Sequence, residues 1–269
     1  MEWVLGVLGI VLSVFLFAKG WTRTALLLLG VTLVSSDFTF HVADKLVFPA
    51  HLASSGPPLS SVAKGAPVIK EGHGNHIVVM LHGNGESARQ MMQHVRLPAG
   101  VEAWAVEYPG YCSAPGRPGA DGAIRNATKV LGAALETQKK VTVVAFSVGT
   151  GVAMQMLSRT PSLATRANLE KVILVAPFSS VRDVALERAG GLASLVLRDQ
   201  MNNTRAAGDL PSNSPEFVVL HGDLDKNIPH HQGVAVHESL ERAGHNSQFH
   251  TMRGKNHFVN LTEVLAKYL

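Results

Sequence analysis

Residues 141–149 read Val141-Thr142-Val143-Val144-Ala145-Phe146-Ser147-Val148-Gly149. A run of β-branched and apolar residues stops abruptly at a serine, and a helix-like stretch, Thr150–Arg159, follows. A sharp strand-to-helix turn of this kind lifts a serine Oγ over the edge of a sheet, and the helix N-terminus beneath it favours negative charge. Such a turn crowds the backbone, so small residues are needed two places before and two places after the serine. Gly149 fills the second place; the first holds Ala145 where glycine is usual, which puts one methyl group in a tight spot. Taken alone, Ser147 reads equally well as an ordinary helix N-cap.

Outward from this segment, short apolar runs recur at Leu46–Phe48, Ile77–Leu81, Ala103–Glu107, Val172–Ala176, Phe217–Leu220 and Gln248–Met252. Several are continuous and rich in Val and Ile, as suits strands buried on both faces of a parallel sheet. Helix-like stretches lie between them at Ser87–Val95, Ala120–Gln138, Gln232–Ala243 and Val259–Leu269. The alternation predicts an α/β domain with a mostly parallel, doubly wound sheet. In such a sheet, chemistry gathers in the loops past the carboxyl ends of the strands. Those loops carry His82-Gly83-Asn84-Gly85, Tyr108-Pro109-Gly110-Tyr111, Ser147, then His221-Gly222-Asp223-Leu224-Asp225, and finally Asn256-His257. A serine, an aspartate and a histidine thus follow one another in chain order, each just past a strand, and together they favour Ser147 as a nucleophile. Spacing alone leaves the acid open between Asp223 and Asp225. The glycine-rich turn at 82–85 offers a freely placed backbone N–H, as an oxyanion hole requires, although Asn-Gly is also a common turn pair. The candidate donors are the amides of Asn84 and Val148.

Composition narrows the alternatives. The chain has 269 residues, 46% hydrophobic and 16% charged, which excludes disorder over most of its length. One cysteine, Cys112, excludes an intramolecular disulfide framework and a Cys-based structural zinc site. A net charge of +4 without any Lys/Arg run gives nucleic acid nothing to track, so no nucleic-acid partner is expected. His73, His76, His230 and His231 read as loop residues without ligand spacing, and no metal is expected. Sequons stand at Asn126, Asn202 and Asn260; they matter only for a lumenal domain.

Hydrophobicity is concentrated at the N-terminus. Trp3 to Ala18 carries no charge, and a second apolar run spans Thr24–Val34 after Lys19 and Arg23. Spanning a bilayer takes about 20 apolar residues, and the first run nearly reaches that length if Lys19 snorkels and Trp21 sits at the interface. Glu2 is the only early charge, contrary to the basic start of a signal peptide. The expectation is therefore a membrane anchor over residues 1–36, as one span or a hairpin, and a catalytic domain over 37–269. Which membrane, and which side of it the domain faces, stays open.

Taken together, His82-Gly83-Asn84-Gly85, Glu107-Tyr108-Pro109-Gly110-Tyr111, Ala145-Phe146-Ser147-Val148-Gly149, Ala176-Pro177-Phe178-Ser179-Ser180, the run His221 to Pro229, and Asn256-His257 resemble the α/β-hydrolase superfamily. The resemblance is closest to its eukaryotic membrane-anchored members of lysophospholipase, monoacylglycerol lipase, depalmitoylase or serine-peptidase type. It covers the chain from about residue 45 onward and implies an α/β-hydrolase fold with a small cap, here at 178–211. It also implies Ser147 as nucleophile, His257 as base and Asp225 as acid, because Asp225 holds the family's place four residues before Pro229. The expected oxyanion donors are the Asn84 and Val148 amides, and Tyr108, Tyr111 and Phe178 are the candidate substrate contacts. No cofactor is required. The implied activity is membrane-tethered hydrolysis of carboxylic ester or thioester bonds in acyl lipids or acylated proteins. The alternatives are a serine peptidase of the same fold and a catalytically silent, membrane-bound binding module.

Overall fold

The computed structural model describes residues 11–18, 20–22, 24–26, 47–53, 60–61, 65–112, 114–189 and 201–269. Its centre is an eight-stranded sheet, ordered β1-β2-β4-β3-β5-β6-β7-β8. The strands are β1 (Ser60–Ser61), β2 (Pro67–Gly72), β3 (His76–Leu81), β4 (Val101–Val106), β5 (Lys140–Phe146), β6 (Leu169–Val175), β7 (Glu216–Gly222) and β8 (Ser247–Met252). β1 pairs antiparallel with β2 and β2 antiparallel with β4, while β4 through β8 run parallel.

The central strands, β3 to β7, are largely apolar because they feed two cores. Ile77, Val79 and Leu81 of β3 point to one side, into a core shared with α2 (Ala120–Glu136), α3 (Val148–Arg159), α6 (Asn203–Gly208) and α7 (His230–Arg242). Val78 and Met80 point to the other, against α1 (Ala88–Gln93) and α8 (Leu261–Tyr268). The same alternation holds along β5, β6 and β7, as a period-two backbone demands. Two short helices, α4 (Pro161–Ala164) and α5 (Val181–Ala189), lie between these. Their ends are chemically marked: Ser87 opens α1 with a reciprocal capping box to Gln90, and Asn202 and Asn260 cap α6 and α8 through their side chains.

This order sets the site. Strand β3 has β4 on one side and β5 on the other, so the chain reverses its direction of winding between β3 and β5. A crevice opens at such a switch point, past the carboxyl ends of the two strands. The loop at 82–85 and Ser147 are the first residues beyond those ends.

Three expectations need correction. In the run expected as a strand at Leu46–Phe48, the described residues, Val47 and Phe48, are not in a strand; Phe48 is buried, edge-on to the Tyr108 ring at 6.0 Å. A strand that the periodicity did not announce, β2, lies at Pro67–Gly72; only its first residues are covered and the rest face solvent, so it lacks a hydrophobic run. His76, His230 and His231 are not loop residues; His76 opens β3, and the other two open α7. The predicted cap region carries α5 and α6, with residues 190–200 outside the described set. Most of the expected anchor at 1–36 also lies outside it. Residues 11–18 are helical, and among the described residues no helix is long and apolar enough to cross a membrane.

Candidate active site

Ser147 sits at φ 51°, ψ −118°, a backbone conformation that side-chain-bearing residues rarely adopt. Strain of this kind costs about 1–3 kcal/mol and persists only where the surroundings enforce it. Here they do. The Ser147 N–H is held by the Val175 carbonyl at 2.9 Å, and β5 lies between β3 and β6. The turn also forces a glycine at 149, because a Cβ there would stand 2.4 Å from the Leu81 carbonyl oxygen. Ala145 is fully buried in the same core as Leu81, Leu174 and Val148. Ser147 makes no side-chain capping bond to α3. Its Oγ lies instead 3.1 Å from His257 Nε2.

His257 lies in the loop after β8, and its Nδ1 is 2.7 Å from Asp225 Oδ2. Asp225 comes from the loop after β7. The two loops are locked together, since a Cβ at Gly222 would strike the Lys255 carbonyl at 2.3 Å, and the Leu224 N–H donates to that same oxygen at 3.0 Å. The carboxylate of Asp225 is fully enclosed. Its Oδ1 accepts the amides of Asn227 (2.7 Å) and Ile228 (2.9 Å), and His221 Nε2 approaches Oδ2 at 3.3 Å. Burial by itself would raise this carboxyl, but the bonds from His221, His257 and Ile228 outweigh it and hold Asp225 well below the usual carboxylate range. Asp223 is exposed; its Oδ1 takes the Gly254 N–H at 2.7 Å and ties the two loops, away from the histidine.

The geometry thus joins Ser147, His257 and Asp225 in one hydrogen-bonded chain. It can deprotonate the serine: a neutral His257 that gives its Nδ1–H to Asp225 presents a lone pair on Nε2 to the hydroxyl. Beside Ser147, the Val148 amide is the first of α3 and has no intrahelical acceptor. Asn84 faces the same cavity. That cavity measures about 860 Å³ and is walled largely by apolar side chains, among them Met91, Val95, Val184 and Leu261. Phe178 lines it. Tyr108 and Tyr111 do not: both are fully buried beneath the 82–85 loop, with their hydroxyls bonded to the carbonyls of His82 (3.1 Å) and Asn84 (2.9 Å). Burial raises both phenols above their ordinary range. As substrate contacts they are therefore set aside, because a phenol spent on a backbone carbonyl beneath a loop is not available to a ligand.

Two positions escaped the sequence reading. His221 supports the acid from behind, and Phe258, beside His257, is 75% exposed at the mouth. The former could have been sought in the His-Gly pair that opens the aspartate loop; the latter left no signal. Histidines 76, 230 and 231 go to separate partners, Thr142, Thr251 and Glu187. Among the described residues no group of three or more His, Cys, Asp or Glu side chains could hold a metal.

A family model described as "Alpha/beta hydrolase family" matches residues 78–201, and one described as "Prolyl oligopeptidase family" matches 194–267. The fold is that of the α/β hydrolases. A Thermus thermophilus protein superposes with a TM-score of 0.59 at 17% identity, over 76% of this chain and 90% of its own. A lipase-esterase related protein from Clostridium acetobutylicum gives 0.55 at 12%, over 74% of this chain and 97% of its own. A thermostable carboxyl esterase from Bacillus coagulans, solved with glycerol, gives 0.55 at 14%, over 74% and 89%. No curated protein sequence matches the chain. At these identities the likeness speaks for the α/β-hydrolase fold; the narrower resemblance to membrane-anchored lysophospholipase-like members rests on the motifs alone.

Proposed function

We propose that this α/β hydrolase is a serine hydrolase that cleaves carboxylic ester or thioester bonds of acyl substrates, tethered to a membrane by its N-terminal apolar segment. The observation that carries this reading is the chain Ser147–His257–Asp225, at 3.1 and 2.7 Å, opening into an apolar cavity of about 860 Å³. His257 takes the Ser147 proton as Oγ attacks the acyl carbonyl. The oxyanion is received by the amides of Asn84 and Val148, and His257 then protonates the leaving group. Water, deprotonated in turn by His257, releases the acid and regenerates Ser147. Asp225 stays ionised and holds the imidazole in the required tautomer. The apolar walls suit an acyl chain, as in acyl lipids or acylated proteins, and a bilayer beside the site would supply such substrates.

A peptidase is the second reading, favoured by the prolyl oligopeptidase match over the segment that carries Asp225 and His257. A silent binding module is disfavoured by the intact, connected triad. A matched panel of acyl esters, acyl thioesters and peptide amides separates these readings. With each methylene worth about 0.8 kcal/mol of burial, kcat/KM should rise roughly fourfold per added carbon until the cavity is filled. Faster turnover of peptide amides, with no chain-length response, would favour the peptidase.

A further inference from the structure

The loop 82–85 has an unusual feature: its three successive carbonyls are each taken by a side chain from beneath. Tyr108 Oη donates to the His82 oxygen at 3.1 Å, His82 Nδ1 lies 2.7 Å from the Gly83 oxygen, and Tyr111 Oη donates to the Asn84 oxygen at 2.9 Å. All three side chains are fully buried, and they touch one another. The His82 ring stacks on Tyr108 at 3.9 Å and leans on Tyr111 at 5.1 Å.

We propose that His82, Tyr108 and Tyr111 form a buried clamp that aims the Asn84 N–H at the oxyanion, with His82 as its central positioning residue. The inference rests on the serine-hydrolase reading and deepens it. Its physical basis is the planarity of the peptide bond: the Gly83 carbonyl and the Asn84 N–H belong to one rigid unit and point in opposite directions. Fixing the carbonyl from below therefore fixes the amide above. A carbonyl only accepts, so His82 Nδ1 carries the proton in this bond. The ring's Nε2 faces the buried Glu107 carboxylate, 3.1 Å from Oε1, an oxygen that also accepts the Ala88 N–H at 3.3 Å. Tyr111 fixes the next peptide in the same way, so the loop cannot rotate about Asn84 without breaking two hydrogen bonds, one of them fully buried. The clamp also explains why two tyrosines at the lip of the site are withheld from the cavity.

The test uses the fact that an asparagine amide can replace Nδ1 of histidine, whereas a glutamine amide reaches the position of Nε2. His82→Gln should lower kcat about tenfold to a hundredfold, the scale of an ångström-sized misplacement, with KM within twofold of wild type. His82→Asn, which keeps a donor at the Gly83 oxygen, should recover most of that loss. Tyr111→Phe, which removes one oxygen atom, should show a smaller loss of the same kind. Hydrogen exchange of the peptide carrying residues 82–86 should quicken in the glutamine variant and return toward wild type in the asparagine variant. Equal kinetics and exchange for His82→Gln and His82→Asn, or a loss confined to KM, would overturn the clamp. The exchange arm reads the loop even if wild type hydrolyses nothing on the panel, so failure of the serine-hydrolase reading is told apart from failure of the clamp.

Discussion

Replacing Asp225 by asparagine inverts the polarity of the relay, and the structure says in which sense. Oδ1 of Asp225 accepts two backbone amides, from Asn227 and Ile228 at 2.7 and 2.9 Å. An asparagine must keep its carbonyl oxygen there, since turning the NH₂ toward two N–H donors would leave three donors facing one another. The NH₂ then occupies the Oδ2 position, 2.7 Å from His257 Nδ1. It donates to Nδ1 and so drives the imidazole proton to Nε2, which can no longer accept from Ser147. The serine loses its base although no atom has moved. For the corresponding change in a serine protease the loss in kcat is about ten-thousandfold, or roughly 5 kcal/mol of barrier. A loss of that order is expected here in kcat for a short soluble acyl ester, with the melting temperature recorded alongside. Asp223→Asn is the internal control. Its oxygen can still accept the Gly254 N–H, so turnover should stay within about twofold, because only one exposed, charge-assisted bond is weakened. Losses of equal size in the two variants would mean that the loop, not the tautomer, had been damaged. A fall of less than tenfold in Asp225→Asn would refute the relay.

Ala145→Val should cost about 1–3 kcal/mol by overfilling a fully buried position beside the elbow, read as a lower melting temperature together with slower turnover. Ala145→Gly should be tolerated within a few tenths of a kcal/mol. The depressed carboxyl of Asp225 stabilises the fold in full above its unfolded value of about 3.9, and that contribution is lost as pH falls further toward the native value. Denaturant titrations below about pH 4 should accordingly show wild type losing stability more steeply than Asp225→Asn. Deleting residues 1–36 should release the domain from membranes while leaving short-ester hydrolysis intact; persistence in the carbonate-washed pellet would argue against the anchor.

Much of this fold is legible in the chain because buried parallel strands leave continuous Val/Ile runs, as at Ile77–Leu81 and Val141–Phe146, and a strand-to-helix elbow leaves small residues at fixed places. The exceptions have physical causes. Pro67–Gly72 pairs antiparallel near the edge and is wet over half its length, so it carries no run; Phe48 is apolar because it is buried against the Tyr108 ring, not because it lies in a strand. At the site, chain order points to a serine, an acid and a histidine; spacing alone leaves the acid between two aspartates, and the resemblance selects Asp225 by its place before Pro229. Burial separates them: Asp225 is enclosed and faces His257, while Asp223 is exposed and bonds to the backbone of Gly254. Aromatic residues just past a strand end looked like substrate contacts. Only the hydroxyl bonds to the carbonyls of His82 and Asn84 reveal that Tyr108 and Tyr111 work from underneath, and no spacing rule encodes that.

On this reading Ser147 is a nucleophile poised by His257. A fluorophosphonate probe tests it most directly, because the serine oxygen displaces fluoride from phosphorus only when it is activated and the developing oxyanion is held. The wild-type protein should label stoichiometrically, with the phosphonyl mass on the peptide that contains Ser147, and a folded Ser147→Ala variant should not label at all. Absence of labelling in the wild type, or labelling that persists in Ser147→Ala, would contradict it.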